Sequence, residues 1–404
     1  MRFLIPALLT LVMSVRADWP QHLGPQRNGT AEGKAPEPWG ESGLKPEWKV
    51  DVGHGYSGPV TTDSMVLLHH RRGDREVLEA YDRGSGRSLW RSEQPTGYED
   101  DFQFDDGPRG TPAIADGRVF TWGAEGRLTA TRLKDGSALW TVPLGRELRA
   151  DKGFFGFACS PLVVSNRVIV QVGGRDGAGV VAVRADTGAV DWKSTSDEAG
   201  YASPALIDLE GRPRVVVFNR AGIRVLVPED GRVLFEHPFR SRQNASVNAA
   251  SPLVASDGVF VTSSYGVGAT WMKWKSGAQL DPVWVSDEAL SAHVSTPVRS
   301  GGLVFGFHGR QETGAELRCV RLSDGSVVWS SPRLGIGSVL LEGGRLIVLV
   351  ETGELLLADA AEAGWNVRAR AQILGSGVRA APALDRGLLF ARDKTRLVAV
   401  RLAP

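Results

Sequence analysis

Arg184-Ala185-Asp186-Thr187-Gly188-Ala189-Val190-Asp191-Trp192 closes a block that recurs through the chain with a period of about 45 residues. Each copy opens on a small residue and proline and continues as a hydrophobic strand. It ends on an Asp-Gly or Thr-Gly turn followed by tryptophan. Working outward, the same pattern runs from Gly110-Thr111-Pro112 to Trp140, from Cys159-Ser160-Pro161 to Trp192, from Ala250-Ser251-Pro252 to Trp284 and from Ser295-Thr296-Pro297 to Trp329. A unit of several short strands cannot bury both its faces alone and must stack on copies of itself, which at this period specifies a β-propeller with WD40-like blades. The expected fold class is all-β.

Ser57 to Trp90, Thr111 to Trp140, Ser160 to Trp192, Ser203 to Phe235, Ser251 to Trp284 and Thr296 to Trp329 read as six blades. A degenerate seventh opens on Gly337-Ser338-Val339-Leu340 without proline, and Trp365 falls near its end. The eighth begins at Ala381-Pro382, with strands Ala383 to Phe390 and Arg396 to Leu402, and then stops without its tryptophan strand. Lys45-Pro46-Glu47-Trp48-Lys49-Val50-Asp51-Val52 supplies the missing piece. Its pairing with the C-terminal strands would close the ring and remove an exposed edge. This predicts eight blades, or seven if the degenerate copy is miscounted. Prolines at strand starts tolerate the missing donor, Asp135-Gly136, Thr187-Gly188, Asp230-Gly231 and Asp324-Gly325 make turns that need positive φ, and the tryptophans dock between blades.

The 404 residues carry a formal net charge of +1 and no extended basic run, which argues against a nucleic-acid partner. Met1 to Ala17 read as a secretory signal: Arg2 supplies the positive start, Phe3 to Val15 the apolar core and Val15-Arg16-Ala17 the cleavage site. The expected division is a signal peptide over 1–17, an extended lead-in over 18–44 and a single propeller domain over 45–404. The mature chain is expected to lack a transmembrane span, to be monomeric and to be periplasmic or secreted. Cys159 and Cys319 lie three blades apart, so two buried free thiols are expected rather than a disulfide.

The tryptophan-terminated tail of each unit resembles the repeat of the pyrroloquinoline quinone (PQQ) propellers, which include quinoprotein alcohol dehydrogenases and the BamB outer-membrane assembly propeller. The resemblance spans roughly Pro46 to Leu402. Asp18-Trp19-Pro20-Gln21-His22-Leu23-Gly24-Pro25-Gln26-Arg27-Asn28-Gly29, Gly107-Pro108-Arg109-Gly110-Thr111-Pro112, Ser246-Val247-Asn248-Ala249-Ala250-Ser251-Pro252 and Gly306-Phe307-His308-Gly309-Arg310-Gln311-Glu312 resemble exported BamB-type members. The resemblance implies an exported, non-catalytic scaffold for a protein or polymer partner in the cell envelope. The alternative it carries is a PQQ- and calcium-dependent quinoprotein alcohol dehydrogenase, with Asp105 or Asp106 offered as base. Against that alternative stand the lack of adjacent cysteines and of a haem-attachment sequence.

In a propeller, the loops that lead into each inner strand share one face with the loops between second and third strands. This places Asp105, Asp106, Arg109, Phe154, Phe157, Tyr201, Asn244, Asn248, His293 and Arg379 around a central funnel, with His308, Arg310, Gln311 and Glu312 from blade six beside them. The ligand-binding candidates are Asp105, Asp106, Arg109, Tyr201, Asn244, Asn248, His293, His308, Arg310, Glu312 and Arg379, a mixture suited to an anionic or sugar-like ligand. His308 could transfer a proton while Arg310 holds a carboxylate or phosphate, or Arg310 could simply pair with an acidic neighbour. Glu99, Asp100, Asp101, Asp105 and Asp106 offer oxygen ligands but do not match a calcium loop, and His69-His70 point to opposite faces of one strand. No catalytic residue, metal ligand or resident cofactor is assigned; PQQ and calcium remain the alternative. Whether the lead-in from Trp19 to Trp39 plugs the funnel is not readable from the pattern.

Overall fold

The structure is a computed structural model that describes residues 19–40, 43–244 and 246–402. The expected signal segment, residues 1–17, lies outside the described residues. Eight sheets, each with four antiparallel blade strands, follow one another around a ring, inner strand at the channel and outer strand at the rim. Blade one holds Val60–Thr61, Met65–Arg72, Arg75–Asp82 and Ser88–Pro95. Blades two to seven open at Ala113, Leu162, Ala205, Leu253, Val298 and Gly337. Blade eight is built from both ends of the fold. Pro46–Asp51 lies antiparallel on Arg396–Arg401, Trp48 opposite Ala399 and Asp51 opposite Arg396. The degenerate copy counts, and the ring is closed by the strand the sequence pointed to.

One expected strand divides. Ala383 to Phe390 is a hairpin, Ala383–Asp385 turning into Leu388–Arg392. Arg386 and Gly387 take φ of 51° and 73° at the turn, a left-handed pair that an arginine does not advertise.

The tryptophans follow one rule. Trp48, Trp140, Trp192 and Trp284 each lie with the ring against the turn glycine of the next blade, Gly86, Gly188, Gly231 and Gly325. Each donates its indole N–H to a carbonyl of that turn region, at Arg83, Ala185, Pro228 and Leu322, over 2.8–3.0 Å. Trp90 covers Gly136 with its ring but makes no such hydrogen bond. The glycines have φ between 70° and 76°, and a Cβ on Gly231 would sit 2.5 Å from the Trp192 ring. Gly231→Ala is therefore expected to cost about 2 kcal/mol, from left-handed strain and lost ring contact, read as a lower urea midpoint.

The rule also explains the degenerate blade. A docked tryptophan needs a third-to-outer-strand turn on the following blade. Blade eight has none, because its outer strand arrives from the N-terminal side of the chain. Blade seven accordingly has alanines, Ala369 and Ala371, in its outer strand. Its Trp365 stands before that strand, 5.8 Å from the Trp329 ring, and Trp39 of the lead-in donates to Arg370 O instead.

The lead-in answers the question the sequence left open. Trp19 is fully buried and bridges Thr61 on blade one, Pro20 O accepts from Ile114 N on blade two, and Thr30–Ala31 runs parallel to Leu341–Glu342 on blade seven. Arg27 reaches blade three, donating to Ser160 O (3.0 Å) and Pro161 O (2.9 Å) and to Gln21 Oε1. Burial draws its pKa down to about 10. The segment stoppers the channel at the end where inner strands turn into second strands, satisfying inner-strand edges that a bare channel would leave open. Arg27→Met is expected to cost about 3 kcal/mol, since two buried carbonyls lose a charged donor; a thermal melt checks it.

Cys159 and Cys319 are buried free thiols, both pushed up to about 12 by burial.

Candidate functional site

Above the stopper the opposite face opens into a cavity of about 200 Å³ on the ring axis. Its walls come from the loops that enter the inner strands. His22 and Leu23 of the lead-in, with a ring of hydroxyl side chains, also line it. That ring is built by the residue before the proline in blades two to six. Thr111 Oγ1 accepts from Gly58 N (3.1 Å), Ser160 Oγ from Thr111 N (2.9 Å), Ser203 Oγ from Ser160 N (2.9 Å), Ser251 Oγ from Ser203 N (3.0 Å) and Thr296 Oγ1 from Ser251 N (2.8 Å). Blades one to six are thus tied, each to the next, through one hydroxyl. The signal was in the sequence as Ser-Pro and Thr-Pro, where only the proline was given a role.

Of the candidate residues, Arg109, Tyr201, His293 and Arg379 line the cavity. Arg109 is anchored from behind by Asp100 Oδ2 at 3.1 Å and by Asp105 O, and its guanidinium lies 5.3 Å from the Tyr56 ring centre and 5.5 Å from that of Phe155. Arg379 is held by Glu351 Oε1 at 2.6 Å and by Gln311, and lies 5.8 Å from the same Tyr56 ring. Tyr201 accepts Phe154 N and Phe155 N at its hydroxyl, fixing the loop into blade three. His293 Nε2 meets Tyr265 Oη at 2.9 Å, and burial draws its pKa down to about 4 against the pull of Glu312. His22 goes down to about 3, through burial first and Arg27 second.

The other candidates stand outside the lining. Asp106 accepts Asp100 N, Asp105 accepts Gly107 N, and Asp100 accepts the amides of Phe102, Phe104 and Asp105. The acidic cluster therefore folds its own loop, and Glu99 and Asp101 meet Lys152. Asn248 donates to Asn219 O and Phe239 O from a buried position, and exposed Asn244 accepts Arg220. The segment read as the blade-six loop is mostly strand. Leu303–Arg310 pairs His308 with Glu316, and His308 Nδ1 accepts Ser291 N at 3.1 Å. Arg310 pairs with Glu312 at 3.1 Å and covers the Tyr265 ring. His69 and His70 point to opposite sides, towards Glu76 and Glu79. No cluster of metal-ligating side chains occurs among the described residues.

Two features were missed. Tyr56, Phe104 and Phe155 form aromatic wall, and an exposed patch continues from it. Phe102 is 50% exposed and Phe104 43% exposed; their rings stack 6.1 Å apart, with Phe155 5.3 Å and Phe154 6.2 Å from Phe102. Arg220 covers Phe154.

Docked tryptophans, a ring closed by the N-terminal strand, a stoppered channel and one open funnel define a propeller of the PQQ-like class. Residues 73–331 match the model of the family described as outer membrane protein assembly factor BamB, and the chain belongs to that family. The outer membrane protein assembly factor BamB of Burkholderia pseudomallei (strain K96243) is 25% identical over 326 residues, 76% of this chain and 74% of that protein. The structure of BamB from Moraxella catarrhalis superposes with a TM-score of 0.65 at 16% identity, over 89% of this chain and 97% of that one. The quinohemoprotein alcohol dehydrogenase ADHIIG from Pseudomonas putida HK5 superposes at 0.56 and 13% identity, over 95% and 80%. At these identities the two structures share the fold.

Proposed function

We propose that this BamB-type propeller is an exported, monomeric binding scaffold, periplasmic or secreted, that docks a protein or polymer partner of the cell envelope on the funnel face. The expected signal peptide over residues 1–17 delivers it there, and residues 45–404 form the domain that docks. The aromatic patch carries the reading. Two exposed phenylalanines stacked on two more, flanked by Arg109, Arg220 and Lys152, are a cost in a surface without a partner. Aromatic and arginine side chains are the residues that dominate binding surfaces.

The residues at the funnel do not fit a calcium–quinone centre. Among the described residues no carboxylate and no tryptophan lines the cavity, so the site offers calcium no anionic oxygen and a quinone no indole to stack on. Titration with PQQ and calcium, in the presence of an artificial electron acceptor and short alcohols, is expected to give no acceptor reduction. Saturable binding with turnover would replace the scaffold reading by a dehydrogenase.

A photoreactive phenylalanine analogue at Phe102, in the chain produced by its own host, tests the docking. One discrete adduct is expected, reduced at least tenfold by Phe104→Ser with Phe154→Ser. A featureless ladder, or an adduct indifferent to those changes, would remove the patch as the docking surface.

A further inference from the structure

Three of the side chains that line the funnel carry a buried polar atom without a hydrogen-bond partner: Arg109 Nη1, His22 Nδ1 and His293 Nδ1. Buried polar groups are normally satisfied, so three such side chains around one cavity mark it as a place where the fold leaves polar groups over. The hydroxyl ring points the same way. Thr111, Ser160, Ser203, Ser251 and Thr296 each receive a backbone N–H on the oxygen, and none of their O–H groups has an acceptor among the described residues. A hydroxyl has one proton to give, so five hydroxyl donors line one small space together with Arg109 and Arg379.

The acids that balance this site stand outside the cavity lining. Asp100 holds Arg109 and Glu351 holds Arg379, while no carboxylate among the described residues lines the cavity. The two cations and the ring are thus presented to the occupant with their counter-charges at the rear. Between the polar groups the wall is apolar: Tyr56, Phe155, Val247, Val294 and Val378. Such a surface wants an acceptor-rich head on a compact hydrophobic body.

We propose that the funnel binds a small carboxylic acid with an apolar body, its carboxylate taken by the hydroxyl ring and the Arg109 guanidinium and its body set against Tyr56, Phe155 and the valines. A carboxylate offers about four lone-pair directions, enough to engage several ring hydroxyls and the guanidinium together. A phosphate would match the donors but waste the apolar wall, and a neutral amide would turn N–H donors against hydroxyl donors. The site lies beneath the aromatic patch and does not depend on what docks there.

Calorimetry and ligand-observed NMR on the purified chain test this, with benzoate, phenylacetate, cyclohexanecarboxylate and isovalerate at millimolar concentration, benzamide as the neutral isostere and inorganic phosphate as the bare oxyanion. At least one acid is expected to bind saturably at one per chain, at least tenfold more tightly than benzamide and unaffected by phosphate. Ser203→Ala with Ser251→Ala is expected to weaken it about tenfold. Val294→Trp, a filling change at the exposed edge that leaves every hydrogen bond intact, is expected to abolish it with an unchanged melting temperature. The proposal is overturned if none of the acids binds, if benzamide binds as well as benzoate, if phosphate alone binds, or if Val294→Trp has no effect. Crosslinking at Phe102 reads the docking surface separately, so either result can fail without the other.

Discussion

Between about pH 7.5 and about pH 5 the fold is expected to lose about 6 kcal/mol of stability, read as a falling urea midpoint. Three imidazoles carry the effect. Burial lowers His22 from 6.5 to about 3, and His70 and His293 from 6.5 to about 4. His70 is pulled upward by Glu79 and downward by Arg392 and Arg72, and burial outweighs them all. Its geometry agrees: Gly53 N donates to Nδ1 at 2.7 Å, which requires a lone pair there, while Nε2 faces Glu79 Oε2 at 3.3 Å. For His293 the facing charges are Glu312, Arg310 and Arg379; for His22 the facing charge is Arg27.

The sign follows from which state takes the proton. The unfolded chain protonates its histidines as pH drops through 6.5, and the folded chain does not until pH nears 4 or 3. Stability is thus full above 6.5, falls throughout that window and is wholly lost only below the folded values. At about pH 5 each imidazole accounts for about 2 kcal/mol. His293→Gln should remove about a third of the slope. A midpoint that does not move between the two pH values would show that these rings are protonated in the fold.

Trp48→Ala is expected to destabilise the protein by about 4 kcal/mol, more than a change at any single exposed side chain. Trp48 is buried against Phe390, with ring centres 5.9 Å apart, and lies on Gly86 of blade one. Its N–H donates to Arg83 O, and Arg83 in turn pairs with Asp385 on blade eight. The one indole therefore ties the closing strand to the two blades that meet at the seam. Trp39→Ala, which removes a half-exposed ring and one hydrogen bond to Arg370 O, should cost about 1 kcal/mol. Equal losses in the two variants would mean that closure is not where the stability is concentrated. Unfolding rates separate them further, since an opened seam should speed unfolding in Trp48→Ala alone.

The repeat made the propeller legible because its markers do mechanical work. A turn glycine with positive φ and the indole that covers it must recur at fixed spacing, so the blades could be located before any packing was known. The closing strand was legible because a blade without an outer strand and a strand without a blade stood at opposite ends of the chain. The hairpin at Arg386-Gly387 was hidden, since its apolar flanks read as one run and arginine is not a turn marker.

The funnel was only partly legible. Arg109, Tyr201, His293 and Arg379 follow from the position of their loops. Which neighbours turn inward is decided by hydrogen bonds within each loop, such as Asp100 gathering three amides, and no periodicity reports that. His22 belongs to a segment whose partners lie on blades one, two, three and seven. Contacts so distant in sequence leave no local trace.

That same segment has a consequence for how the molecule can be made. A ribosome releases the stopper before any blade, so the ring has to be wound around a core already present, as thread is wound on a spool. The strand that follows the spool then waits, unpaired, until the last residues appear, because its register is set by Leu397 to Val400. A chain cut short anywhere in blade eight keeps its spool and most of its turns but has a loose end. It exposes a bare strand edge beside an unfinished funnel, and is marked as incomplete by its own geometry.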